Sequence, residues 1–119
     1  MAKIYVRGLA IIFLALGVIG FVFPMEEIFH LTPVHNIVHL ASGIVGLLMS
    51  GSESKAILFS KIFGVVYLLV AILGLFTHEF IGIIFLLADN ILHFIIAFAS
   101  LYFGFIYGAS ASSNRTISQ

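Results

Sequence analysis

Four apolar runs, each roughly 20 residues long, fill nearly the whole chain, the length an α-helix needs to cross about 30 Å of hydrocarbon. They are placed at 4–23, 33–50, 56–76 and in a last stretch that starts at about 80 or about 87 and ends near 108. Of 119 residues 62% are hydrophobic and 8% are charged, too little polar surface to cover a water-soluble globule. The expected fold is therefore all-α: an integral membrane four-helix bundle, residues 1–108, with a flexible polar cytoplasmic tail at 109–119. Met1 to Arg7 is a basic lead ahead of the first run and mimics a secretory signal. It is followed by Phe23-Pro24-Met25-Glu26-Glu27 instead of a small-residue cleavage site, so a first transmembrane helix is expected there. The chain has no cysteine, which excludes a disulfide framework and a thiolate metal site.

Charge gives the expected orientation. Lys3, Arg7, Lys55, Lys61 and Arg115 fall at the N-terminus, the central turn or the C-terminus. An even number of spans puts all of these on one face, which the positive-inside rule makes cytoplasmic, together with both termini. Glu26, Glu27, Glu79 and Asp89 fall towards the other face. No basic patch exists beyond the orienting residues, so nucleic acid is not an expected partner; the lipid bilayer is, with other membrane subunits or further copies of the chain as additional candidates.

The chain also repeats itself. A shift of 54 positions lays Arg7 on Lys61, Phe13 on Tyr67, Gly20 on Gly74, Asn36 on Asn90 and His39 on His93. Two tandem hairpins, about 4–50 and 58–104, are expected, related by a pseudo-two-fold axis along the membrane normal. The small residues of Ser42-x-x-x-Gly46, Ser100-x-x-x-Gly104 and Gly104-x-x-x-Gly108 suit close helix packing inside the bundle. Tyr5 and Tyr107 suit interfacial anchors.

Phe23-Pro24, then Thr32-Pro33-x-His35-Asn36-x-x-His39-Leu40-x-x-Gly43, then Ala88-Asp89-Asn90-x-Leu92-His93 carry a resemblance. The chain resembles a bacterial family of small four-span membrane proteins, the domain-of-unknown-function family 4383, over nearly its whole length except the tail. The resemblance implies the topology and a bacterial plasma or internal membrane; it implies no reaction. One departure is Ala97, which stands opposite Gly43 and bears on how closely helices approach there.

The paired motifs hold most of the polar side chains inside the apolar bulk. His35 and His39 lie one helical turn apart on one face, and Asp89 and His93 repeat that spacing. If the second and fourth helices meet, three imidazoles and a carboxylate form a candidate metal set for Zn, Fe or Mn: His35, His39, Asp89 and His93. Asn36, Asn90 and Tyr67 are then candidates to orient those ligands by hydrogen bonds. The symmetric pair His39 and His93 is alternatively suited to axial ligation of non-covalent haem or of a pigment. A structural network is the plainer reading, because histidine and asparagine in membrane helices commonly bond across the bundle. Asp89 is harder to account for that way, since intramembrane carboxylates are costly and usually functional. His30 and His78, near Glu26, Glu27 and Glu79, form a possible outer rim, though loop polars are more often simply solvated.

Three functional classes follow. The first is a membrane protein that binds a metal ion or metallocofactor; the second is an accessory or assembly subunit of a larger redox or pigment-containing complex, in which the polar cluster is structural. The third is a small proton or ion pathway through Asp89. An enzyme is the poorer option, because no nucleophile–base pair or phosphate loop is present.

Overall fold

A computed structural model describes residues 1–23 and 31–118. Helices α1 (Ala2–Val22), α2 (Pro33–Met49) and α3 (Glu53–Phe76) are followed by two short strands, β1 (Glu79–Phe80) and β2 (Ile83–Ile84). Helix α4 (Leu87–Leu101) then runs through a π-helical segment, Tyr102–Tyr107, into α5 (Gly108–Ser118). The molecule measures 52 × 28 × 19 Å. Three helical runs are long and apolar enough to cross a membrane: Ala2–Val22, Glu53–Phe76 and Leu87–Asn114. Helix α2, with 17 residues, is shorter.

Large apolar side chains cover the outside as well as the core: Ile4, Leu48, Leu69, Leu75 and Phe76 are exposed, whereas His35, Asn36, His39, Ser60, Asp89, His93 and Ser100 are buried beside an apolar core of Val6, Leu9, Phe13, Phe63 and Ala97. An outer surface of large apolar side chains with polar groups held inside is what a lipid solvent selects, and it suits a membrane protein.

The helix starts are local chemistry. Thr32 caps α2, its hydroxyl accepting from the His35 N–H at 3.3 Å, and Pro33 occupies the first helical position where no N–H is required. Ser52 caps α3 in the same way, accepting from Lys55 N–H at 3.3 Å. Helix α4 begins at Leu87, the later of the two expected starts, so Asp89 lies in its first turn.

Helix α1 packs mainly on α2, and α3 mainly on α4. At the heart of each contact an asparagine sits over a glycine. A Cβ at Gly20 would overlap the Asn36 side-chain oxygen, and a Cβ at Gly74 would overlap that of Asn90. The Asn90 side-chain NH2 donates to Gly74 C=O at 3.1 Å, and that of Asn36 to Leu31 C=O at 3.5 Å. Consecutive helical residues are about 100° apart at 3.6 per turn, so Asn36 turns to α1 while His35 turns towards the other pair of helices. Gly43 admits Leu14, whose Cγ would lie 2.6 Å from an added Cβ, while Ala97 at the corresponding place in α4 is fully buried in the core. The small residues at 46, 104 and 108 also pack inside the molecule: a Cβ at Gly46 would crowd Ala10, one at Gly104 the backbone of Lys61, and one at Gly108 the Ile57 side chain.

Between the two helix pairs the main contact is α1 on α3, where Phe13 meets Phe63 at 5.4 Å and Tyr67 at 5.7 Å between ring centroids. The two tyrosines expected as interfacial anchors also join elements. Tyr5 stacks on Phe103 at 4.4 Å and shares a 2.7 Å hydrogen bond with Ser100, while Tyr107 donates to Glu53 at 2.8 Å. Glu53 also accepts from Ala2 N–H at 2.7 Å, so the first residue of α3 satisfies a free donor at the start of α1. Glu53→Ala is expected to lower stability by about 1 kcal/mol through loss of this cap, and Glu53→Gln by less, read as the detergent-solubilised melting temperature.

Two features lie outside the expected helices. β1 and β2 pair in register Glu79↔Ile84 and Phe80↔Ile83, closed by Ile81-Gly82, both at positive φ (51° and 78°). Residues 109–118, polar as a tail would be, are helical.

Candidate functional site

Helices α2 and α4 do not pack backbone to backbone. What lies between them is a small chamber of about 110 Å³, lined by His35, Ser42, Phe63, Tyr67 and His93 among others, with Val38, Val66, Val70 and Ile83 at its edge. The ribbon β1–β2 closes over its upper side through Ile83, and Thr32 hydroxyl donates to Gly82 C=O, tying the ribbon to the start of α2.

Two of the four expected metal ligands, His35 and His93, line this chamber, and His39 lies next to His35 outside its lining. His35 and His39 lie 4.2 Å apart between ring centroids, and His35 and His93 6.1 Å. Each histidine of the symmetric pair rests on an aromatic ring of the helix it packs with: His39 on Phe13 at 5.3 Å, His93 on Tyr67 at 5.4 Å. The Nδ1 atoms of His39 and His93 are buried and have no hydrogen-bond partner among the described residues. Tyr67 is also buried, and no hydrogen bond of its hydroxyl is found among the described residues.

The fourth expected ligand is engaged elsewhere. Asp89 accepts from Leu86 N–H at 3.1 Å, capping α4 from the third helical position. Thr32 and Leu86 correspond across the repeat, and so do His35 and Asp89. Where the first helix has a capping hydroxyl that accepts from the N–H three residues on, the second has leucine, which has none, and the carboxylate three residues later reaches back to the Leu86 N–H instead. The difference between His35 and Asp89, which looks like a ligand set when only the motif is read, has a capping explanation. Among the described residues no group of three or more His, Asp or Glu side chains is placed to hold one metal ion. Asn36 and Asn90, expected beside the ligands, point to Gly20 and Gly74 instead. His30, Glu26 and Glu27 lie outside the described residues; His78 accepts at its backbone carbonyl from Phe85 N–H at 2.9 Å.

The residues that motif reading missed are apolar or aromatic: Phe63, Val66, Val70 and Ile83 in the chamber wall. Their signal was the four-residue spacing of Phe63, Tyr67 and the 3–4 spacing of Val66 and Val70, which place them on one stripe of α3.

The family described as a domain of unknown function (DUF4383) matches residues 3–106. The chain belongs to this family. The match takes in all four main helices and every chamber residue, and stops short of α5. No curated protein and no solved structure matches the chain.

Proposed function

We propose that this member of the family is a four-span membrane protein of two tandem hairpins, related by a pseudo-two-fold axis along the membrane normal, that binds a small neutral ligand in the chamber between them. The repeat-related contacts support the symmetry: Gly20 with Asn36 and Gly74 with Asn90, and Phe13 with His39 and Tyr67 with His93. At 17 residues α2 reaches the lower end of spanning length. The even number of spans then puts the basic residues and both termini on the cytoplasmic face.

The observation that carries the binding reading is a chamber lined by the Tyr67 phenol and the His93 imidazole, with the His93 Nδ1 buried and without a hydrogen-bond partner among the described residues. Burying such an imidazole nitrogen unpaired costs about 1–3 kcal/mol. A ligand that hydrogen-bonds it removes that cost, and it does so only on binding. Among the described residues no Asp, Glu, Lys or Arg lines the chamber, which suits an uncharged ligand. Its aromatic walls favour a flat molecule.

Tyr67→Phe is the decisive variant. Because no hydrogen bond of the hydroxyl is found among the described residues, its removal is expected to leave the melting temperature unchanged or slightly raised, while weakening ligand retention. Mass spectrometry of small molecules extracted from purified wild-type and Y67F protein reads the difference; a marked loss of stability in Y67F with equal retention would point to a structural hydroxyl and defeat the reading. A metal ion or metallocofactor on His39 and His93 is the second reading, favoured by their two unpartnered Nδ1 atoms. Stoichiometric Zn, Fe, Mn or haem in the same preparation, lost in His39→Ala and His93→Ala, would establish it in place of the first.

A further inference from the structure

The chamber does not stand alone. On its upper side it runs into an apolar groove of about 550 Å³ between α2, α3 and the ribbon, and Val38, Val66, Val70 and Ile83 line both. Leu69, Leu73, Phe80 and Ile81 extend the groove away from the chamber. Its rim is on the lipid-facing surface: Leu69 and Ile81 are 62% and 72% exposed. The two spaces differ in chemistry as well as in size. The groove is lined wholly by Val, Leu, Ile and Phe, and the imidazoles, phenol and serine are confined to the chamber.

The geometry points to an occupant that has both characters: a membrane amphiphile with a flat, neutral, hydrogen-bond-accepting head in the chamber and an apolar chain in the groove, the chemical class of the isoprenoid quinones. The inference rests on the binding reading above and adds the chain and the route of entry. Four observations converge on it. Among the described residues the chamber lining has none of the cations that a phosphate headgroup requires. Tyr67 O–H donates only to an acceptor, and a neutral imidazole offers one N–H as well, so carbonyl oxygens are matched on the walls that His93 and Tyr67 form. Phe63, Tyr67 and the two histidines give a six-membered ring faces to lie against. The chamber of about 110 Å³ is smaller than the roughly 150 Å³ apolar cavity that takes up benzene, but it shares Val38, Val66, Val70 and Ile83 with the groove of about 550 Å³, so a substituted ring extends into that shared space.

Entry follows from packing. A ligand dissolved in the bilayer reaches the chamber sideways, through the seam where α2 and α3 make little contact, without crossing water. The ribbon lies over the groove: Gly82 sits against Val34, whose Cγ2 would be 3.2 Å from an added Cβ, and Phe80 and Ile81 form the upper wall.

Two probes separate the parts of the claim: decylubiquinone, and the same dimethoxy-methyl-benzoquinone ring without its chain. Protein reconstituted in nanodiscs of synthetic phosphatidylcholine is incubated with each, passed over a sizing column and extracted for quantification. Wild type is expected to retain decylubiquinone at one per chain and the bare ring at least 10-fold more weakly. Tyr67→Phe should weaken both probes about 5- to 10-fold, the loss of one neutral hydrogen bond. Leu73→Trp, which fills the groove without touching the chamber, should weaken decylubiquinone at least 10-fold and leave the ring unchanged; Leu69→Phe serves the same purpose should the tryptophan variant not elute as a folded species. Equal retention of both probes, unaffected by either groove variant, overturns the chain placement and leaves the chamber reading standing. Retention of neither probe by wild type, with another small neutral molecule extracted in stoichiometric amount, overturns the quinone class alone; with nothing extracted, both readings fall.

Discussion

Gly20→Leu is expected to destabilise the protein by about 2–3 kcal/mol, and Gly74→Leu by a similar amount, whereas Gly8→Leu is expected to change little. The reason is space. At Gly20 and Gly74 even a methyl carbon would fall on the Asn36 or Asn90 side-chain oxygen, so a larger group forces helices apart or drives the amide off its rotamer, and overpacking a tight contact costs about 1–3 kcal/mol. At Gly8 an added carbon meets nothing within 4 Å, and it faces outward. Thermal unfolding in one detergent, followed by helical circular dichroism, compares the three. A rescue sharpens the test. Gly20→Ala alone should destabilise, and Asn36→Ala in the same chain should restore part of the loss, because the smaller side chain vacates the overlapping volume. Additive losses in the double variant would show that the amide and the glycine do not contact each other.

These pairs also explain what the sequence made legible. Gly20, Asn36, Gly74 and Asn90 were visible as repeats at a separation of 54, but as positions, without a purpose. Matching residues along the chain does not reveal that the first and second member of each half touch one another. Helix boundaries were close because the signals are local: Thr32-Pro33 and Ser52 cap, and the apolar runs are long. The ribbon was not legible. Ile81-Gly82 lacks the Asn-Gly or Asp-Gly signature of a two-residue hairpin loop, and a β-branched residue at φ 51° runs against its intrinsic preference. The π-helical segment Tyr102–Tyr107 leaves no periodic mark in a run of apolar residues. The histidines were identified from their spacing, and the approach of His35 to His39 and to His93 could be anticipated from it. The groove could not be, because it is made of valines, leucines and isoleucines that look the same whether they face lipid, core or a bound chain.

Asp89→Ala is expected to cost about 1–3 kcal/mol, the range for removing a helix cap and leaving a buried N–H unpaired, and the pattern of its rescue decides what the carboxylate is for. Asp89 is 2% exposed and accepts from Leu86 N–H, so Asp89→Asn, which keeps an acceptor of the same shape, should lose distinctly less than the alanine variant. The more searching variant is Leu86→Thr combined with Asp89→Ala. It gives α4 the hydroxyl cap that Thr32 gives α2, where the acceptor is supplied by the capping residue itself. If Asp89 serves as a cap, the added threonine should return about 1 kcal/mol of the lost stability, and ligand retention should be restored with it, since the chamber walls are untouched. A carboxylate that ligates a metal or carries a proton cannot be replaced in this way: stability would recover while binding or transport stayed lost. Measuring both quantities on the same preparations separates the two roles, because a cap acts at Leu86 and a ligand acts at His93, two turns further along α4.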